Sequence, residues 1–164
     1  MTAEPATNVT IVDADLSRAD HQRAIVTMLD AFMLEQDGVP LSQQARREMI
    51  PGLRAHPACY ILLAYRDGSP VGFSICFLGF STFNARPLIN IHDIFVDSSV
   101  RGMGVGAMLL ERIEAKAHEL NCCRITLEVR EDNRVARGLY RKVGFDRVVV
   151  GAERVAMEFW HKPL

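Results

Sequence analysis

Val100-Arg101-Gly102-Met103-Gly104-Val105-Gly106 decides the fold, because this stretch lies between an apolar run that predicts a strand and a segment that predicts a helix. Glycines let the backbone approach a ligand closely, so that successive N–H groups can point at one anion. The positive N-terminal end of the following helix and the charge of Arg101 would strengthen such a site. The stretch therefore predicts a cradle for a phosphate group.

The composition predicts one domain. The chain has 164 residues, of which 49% are hydrophobic. That is long enough for one core and too short for two domains of ordinary size, so we expect a single domain over residues 1–164. Nineteen Lys and Arg residues stand against 20 Asp and Glu residues, for a net charge of -1. This balance indicates neither nucleic acid nor an anionic membrane as a partner.

Targeting and metal signals are absent from the sequence. No apolar stretch approaches the roughly 18 residues of a membrane span, and residues 1–7 lack the pattern of a signal peptide. We therefore expect a cytoplasmic protein. The cysteines form no paired CxxC motif, which predicts buried thiols and no metal site. They are Cys59, Cys76, Cys122 and Cys123.

Hydrophobic periodicity predicts the order strand, two helices, three strands, helix, strand, helix and two strands. The strands are expected at Asn8–Asp13, Cys59–Tyr65, Pro70–Leu78, Leu88–Asp97, Arg124–Val129, Phe145–Val150 and Arg154–His161. Ser17 or Asp20 is the expected cap of the first helix, and Asp132 or Asn133 that of the last. Pro51 favours a break or kink in the second helix.

Two nucleotide-binding motifs compete for the glycine stretch. A P-loop needs Lys and then Ser or Thr after the glycines, and Ala107 and Met108 stand there instead. The Rossmann pattern GxGxxG/A fits Gly102, Gly104 and Ala107, with Glu128 as its acidic residue. However, four residues separate the strand from the first glycine, and too few elements follow Glu128 to complete a dinucleotide domain.

A third interpretation rests on two signatures together. Arg101–Gly106 resembles the (Arg/Gln)-x-x-Gly-x-(Gly/Ala) loop of the GNAT superfamily of acyl-CoA-dependent N-acyltransferases. The second signature of that family resembles Leu127-Glu128-Val129-Arg130 followed by Asn133, Ala136, Leu139-Tyr140 and Gly144-Phe145. The resemblance implies an α/β GNAT fold, in which a mixed, mostly antiparallel twisted sheet of about seven strands with about four helices is splayed at its middle strands.

The resemblance also implies acetyl-CoA as the cofactor. In the family the pyrophosphate lies on the loop amides, and pantetheine pairs with the strand that splays away from Leu127–Val129. The residues expected at the cofactor are Ile94, Phe95, Val96, Arg101, Gly102, Met103, Gly104, Val105, Gly106, Asn133 and Ala136. A tight turn is the alternative role for the glycines, and a plain helix cap is the alternative role for Asn133.

Acyl transfer needs an acid for the departing thiolate and a base for the amine. Tyr140 lies seven residues after Asn133, two helical turns along the same face. It matches the tyrosine that protonates the thiolate in the family. A core aromatic residue is the alternative role for Tyr140.

Two residues compete as the base. His92 stands where the polyamine acetyltransferases have a glutamate, and its unperturbed pKa near ~6.5 suits the task. Glu128 falls where the ribosomal-protein alanine acetyltransferases have a catalytic glutamate. Asp93 could orient His92 or attract a cationic substrate. Strict alternation would put His92 and Ile94 on one face of the strand and Asp93 on the other, although a bulge would shift that register.

These residues predict an acetyl-CoA-dependent N-acetyltransferase. The expected acceptor is a primary amine of a small molecule or a peptide N-terminus, attacking the thioester directly. A catalytically silent acyl-CoA-binding or sensor module on the same fold is the alternative. Many relatives dimerise, so a homodimer is a further expectation.

Overall fold

The computed structural model describes residues 8–150, 155, 156 and 162. Two compact units make up the chain, Met1–Glu128 and Val129–Leu164. The first unit contains β1 (Val9–Asp13), α1 (Ala19–Asp37), α2 (Gln43–Ala55), β2 (Cys59–Arg66), β3 (Ser69–Ser81), β4 (Arg86–Val96), a 3₁₀ turn (Ser98–Val100), α3 (Val105–Glu119) and β5 (Ile125–Leu127). The second contains α4 (Arg134–Lys142), β6 (Val149–Val150) and β7 (Val155–Ala156).

The sheet of the first unit is mixed. Its strands lie in the order β1-β2-β3-β4-β5, with three antiparallel pairings followed by the parallel pairing of β4 with β5. We expected about seven strands in one sheet. The described residues do contain seven, but β6 and β7 pair with each other in a separate two-stranded sheet. The rest of the tail hairpin expected at Arg154–His161 lies outside the described residues.

Helices cover both faces of the five-stranded sheet. On one face, apolar side chains of α1 at helical spacing pack on alternate residues of β2, β3 and β4. This core includes Ile25, Met28, Leu29, Ile61, Leu63, Phe73, Ile75 and Phe95. The intervening strand residues, such as Leu62 and Ile91, are buried as well, and α3 contributes the buried Leu109 and Ile113.

Most strand ends lie within two residues of their expected positions, but the strand expected from Phe145 begins only at Val149. The Ser42 hydroxyl accepts a hydrogen bond from the Ala45 amide and caps α2. This helix continues through Pro51 to Ala55, so the break that we expected there is wrong. The cap of α1 is Arg18, without a side-chain bond, because the Ser17 hydroxyl donates to Asp15 instead.

A β-bulge interrupts β4 at His92. Ile75 pairs with Asp93 and Cys76 pairs with Ile91, so His92 is the additional residue. Because directly opposed residues share a face of a sheet, Asp93 lies on the α1 face together with Ile75. His92 also contacts Phe77 on that face, with 5.5 Å between ring centroids. Strict alternation, which would place His92 and Asp93 on opposite faces of β4, is therefore wrong because the bulge shifts the register.

The described part of the chain contains no group of side chains suited to a metal ion, and its four cysteines are free thiols. None of its helices is long and apolar enough to cross a membrane.

Candidate active site

The glycine loop (Arg101–Gly106) ends at the first turn of α3. Gly102 and Gly104 have φ values of 79° and 84°, in the left-handed region that favours glycine. A Cβ atom built on either residue would meet nothing within 4 Å, so the space beside both is open. Gly104 is the N-terminal cap of α3.

The free amides at the start of α3 indicate an anion-binding site. The first helical bond runs from the Met108 N–H to the Gly104 carbonyl, 3.0 Å away. Within the described residues the N–H groups of Val105, Gly106 and Ala107 therefore have no acceptor. Open space, free amides and the positive helix end together fit a phosphate or pyrophosphate group.

A preceding turn holds the glycine loop in place. The Asp97 carboxylate accepts hydrogen bonds from the Ser99 amide and hydroxyl, at 2.9 and 2.5 Å. These bonds lower the pKa of Asp97. Val100 is 1% exposed and anchors the turn in the core. The shape of the loop is therefore set before any ligand arrives.

The side chain of Arg101 is engaged away from the loop amides. Its Nε donates to the Val96 carbonyl at 2.9 Å, and its Nη2 lies 2.7 and 2.6 Å from the two carboxylate oxygens of Glu35. The guanidinium also lies 5.6 Å from the Phe95 ring centroid. We expected this charge to strengthen the phosphate site. In this structure Glu35, which sequence reasoning did not connect with the loop, neutralises it.

Beside the loop, β4 and β5 separate. Their parallel pairing runs from Ile89 with Ile125 to Ile91 with Leu127. There β5 ends, whereas β4 continues to Val96, and no described strand pairs with this edge of β4. The unpaired edge includes all three strand residues expected at pantetheine. The side chain of Phe95 is buried in the core, so Phe95 could offer only main-chain groups to a ligand.

Both candidate bases follow the last pair of these strands. His92 comes directly after Ile91, and Glu128 directly after Leu127. Both side chains are exposed. They can therefore exchange protons with solvent or a substrate.

The surroundings of His92 are aromatic and acidic. Phe77 contacts two histidines, with its ring centroid 5.5 Å from that of His92 and 4.8 Å from that of His56. Burial raises the pKa of the neighbouring Asp93, and the charge of His92 partly opposes this shift. Sequence reasoning missed His56, which is distant in sequence from the strand that carries His92.

The second unit carries the remaining candidate residues. Asn133 caps α4, because its side-chain oxygen accepts from the Ala136 amide at 3.1 Å. Tyr140 is 8% exposed, and its ring packs 5.8 Å from that of Phe145. Burial raises the pKa of the Tyr140 hydroxyl, which, like an ordinary phenol, is protonated at neutral pH.

A family model described as "Acetyltransferase (GNAT) family" matches residues 25–145. The chain belongs to the GNAT acetyltransferase family. The match extends over parts of both compact units. The family expected from the glycine loop and the second signature is thus confirmed.

Curated members of the family include two relatives of different activity. The N-alpha-acetyltransferase RimI of Mycobacterium tuberculosis is 33% identical over 138 residues, which cover 81% of this chain and 77% of that protein. The thialysine N-epsilon-acetyltransferase of Bos taurus is 26% identical over 133 residues, which cover 76% of this chain and 73% of that protein.

Among solved structures, an aminoglycoside acetyltransferase from an uncultured soil metagenomic sample, in complex with sisomicin, has a TM-score of 0.76 at 15% identity. The match covers 96% of this chain and 97% of that one. At this identity the likeness shows the GNAT fold alone.

Proposed function

We propose that this GNAT protein transfers an acetyl group from acetyl-CoA to a primary amine by direct attack on the thioester. The observation that carries the proposal is the row of free amides at the start of α3, preceded by a preformed glycine loop. An anionic cofactor is the ligand that such a row would bind. The acetyltransferase family supplies the class of reaction.

The cofactor residues in this proposal belong to three groups. The amides from Gly102 to Gly106 hold the pyrophosphate, although that of Met103 also donates to the Val100 carbonyl, 3.3 Å away. The unpaired edge of β4, at Ile94, Phe95 and Val96, accepts the pantetheine arm as an added strand would be accepted. Asn133 and Ala136, at the start of α4, are the residues of the second unit that we assign to the cofactor. When bound, acetyl-CoA supplies an activated thioester.

Side chains of this protein act as the acid and the base of the transfer. Tyr140 donates a proton to the leaving thiolate, a role for which its hydroxyl holds a proton at neutral pH, as a phenol does. His92 or Glu128 removes a proton from the acceptor amine, directly or through one water molecule. Asp93, the residue that follows His92 at the bulge, orients His92 or attracts a cationic substrate.

We also propose that the two compact units act as one acetyltransferase domain, because the family match crosses the boundary at Glu128. Free thiols are compatible with a reducing compartment, and the cytoplasm is the location we propose. A homodimer and a peptide or small-molecule amine acceptor complete the proposal.

The test follows thiol release from acetyl-CoA in the presence of a panel of amines. Tyr140→Phe is expected to lower kcat about 100-fold or more while CoA affinity stays within about twofold, because an acid acts mainly in the transition state. Tyr65→Phe, which removes a hydroxyl from β2, serves as the matched control and should leave kcat unchanged. Tight CoA binding without thiol release by any amine would instead indicate a silent binding module.

A further inference from the structure

A groove with a volume of about 860 Å³ lies between α1 and α2. Four of its lining side chains are arginines, and their apolar neighbours come mainly from α2. They are Arg23, Arg46, Arg47 and Arg54, together with Ile50 and Pro51. We call this surface the α1–α2 groove. The four arginine side chains belong to exposed residues, so the groove is open to solvent.

The charge of the groove is strongly positive and mostly uncompensated. Arg46 forms an ion pair with Asp30. In the described part of the chain, Arg23, Arg47 and Arg54 make no ion pair or side-chain hydrogen bond, and no carboxylate lines the groove. The whole chain has a net charge of -1, so this concentration of arginines is a local feature. Guanidinium groups gathered in this way fit carboxylates or phosphates.

The dimensions favour an extended occupant over a single anion. Arg47 and Arg54 are seven residues apart on α2, which is about 10 Å along the helix axis. One phosphate would reach only some of these guanidinium groups, whereas a chain with several carboxylates can meet all of them. Ile50 and Pro51 provide apolar surface for the methylene groups of such a chain.

The α2 end of the groove approaches the candidate base. Ala55 lines the groove, and the next residue, His56, packs its ring 4.8 Å from Phe77. Phe77 also contacts His92, with 5.5 Å between the ring centroids. A polypeptide that occupied the groove could therefore bring an amine toward His92 along this row of rings.

We propose that the α1–α2 groove docks an acidic segment of a polypeptide acceptor, and so selects peptide amines that are accompanied by aspartate or glutamate. This inference rests on the proposed acetyl transfer. It disfavours polyamines and other polycations as acceptors, because the arginines repel them.

Binding is measured first, without any chemistry. The probe is a short fluorescent glutamate-rich peptide whose N-terminus is acetylated, so that it carries no amine to react. The triple variant Arg23→Gln, Arg47→Gln, Arg54→Gln should weaken its binding about tenfold or more, because several charge-assisted hydrogen bonds are lost. The matched control Arg141→Gln, Lys142→Gln, Arg147→Gln removes the same charge from exposed residues of the second unit and should keep the affinity within about twofold. Thermal melting of both variants checks that they fold.

Four outcomes of the binding experiment would contradict the proposal that the α1–α2 groove docks an acidic segment. One is equal weakening by both triple variants, which would indicate unspecific charge attraction. Another is binding no tighter than that of a serine-rich peptide. Tighter binding of a lysine-rich peptide or of an RNA oligonucleotide would assign a different partner. Displacement of the probe by inorganic phosphate at the same concentration as the peptide would indicate a single-anion site.

Turnover measurements test the docking of an acidic segment and the proposed acetyl transfer independently. With free N-termini, the glutamate-rich peptide should exceed the lysine-rich peptide in kcat/KM about tenfold, and the arginine triple variant should remove this preference through KM. Peptide binding without acetylation of any amine would contradict the proposed acetyl transfer but not the docking of an acidic segment in the groove. Acetylation with no preference for the acidic peptide would contradict this docking alone.

Discussion

Glu35 near the C-terminal end of α1 holds Arg101 of the glycine loop, with the Arg101 Nη2 atom 2.7 and 2.6 Å from the two carboxylate oxygens. The pair connects residues that are 66 positions apart. Both side chains are more than two-fifths exposed, at 43% and 49%. Such an exposed pair contributes little to stability, about 0–1 kcal/mol. Its larger effect is on the charge beside the loop.

Removing the carboxylate should strengthen cofactor binding. In Glu35→Gln the charge of Arg101 is no longer neutralised, and CoA affinity should rise about threefold, the size expected for a partly screened charge. The free energy of unfolding should change by less than about 1 kcal/mol. Isothermal titration calorimetry at low and high salt measures the effect, which should shrink as salt increases. Glu111→Gln on α3 is the charge-matched control. Weaker CoA binding in Glu35→Gln would mean that the ion pair shapes the loop instead.

The order of elements could be predicted because its signals are local. Ser42 caps the helix that follows it, Asn133 does the same for α4, and the Asp67-Gly68 pair turns the chain between β2 and β3. The helix cap at Ser17 failed for a local reason too, since Asp15 competes for its hydroxyl. Such competition between neighbours has no sequence signal of its own.

The candidate site was harder to predict where it depends on distant residues. The glycine loop could be found because its signal is local, and the second signature, which begins at Leu127, distinguishes it from a Rossmann fingerprint. The bulge at His92 depends on how β4 registers with β3, and a one-residue shift there moves Asp93 to the other face. The Glu35 partner of Arg101 and the His56 neighbour of Phe77 arise from tertiary packing alone.

The two glycines that flank the start of α3 should respond differently to alanine. Gly104→Ala forces a Cβ onto a residue with φ of 84°, so it should cost about 1–2 kcal/mol of unfolding free energy and weaken CoA binding. Gly106 lies inside α3, where alanine is favoured by up to about 1 kcal/mol. Gly106→Ala should therefore keep stability and CoA affinity. Chemical denaturation and calorimetry measure both quantities. Equal losses in the two variants would contradict the conformational argument.

The pH dependence of the rate should identify the base. If His92 accepts the proton, His92→Gln should lower kcat/KM at neutral pH about 100-fold and remove the acidic limb of the profile. Glu128→Gln would then leave that limb in place. The converse result would assign the role to Glu128. An unchanged acidic limb in both variants would exclude both residues as the base.

Two neighbouring aspartates should affect stability in opposite ways as pH changes. Burial raises the pKa of Asp93, so this carboxyl favours the folded state below its unfolded pKa, and that benefit is lost as pH rises through the folded value. Asp93→Asn should therefore raise the melting temperature at pH 7, and the gain should vanish in acid, where the carboxyl is protonated in both the folded and the unfolded state. Hydrogen bonds from Ser99 lower the pKa of Asp97, so Asp97→Asn should destabilise the protein at pH 7 and approach the wild type in acid. Thermal melts of both variants across this pH range test the pair. A loss of stability in Asp93→Asn at pH 7 would mean that attraction to His92 outweighs burial.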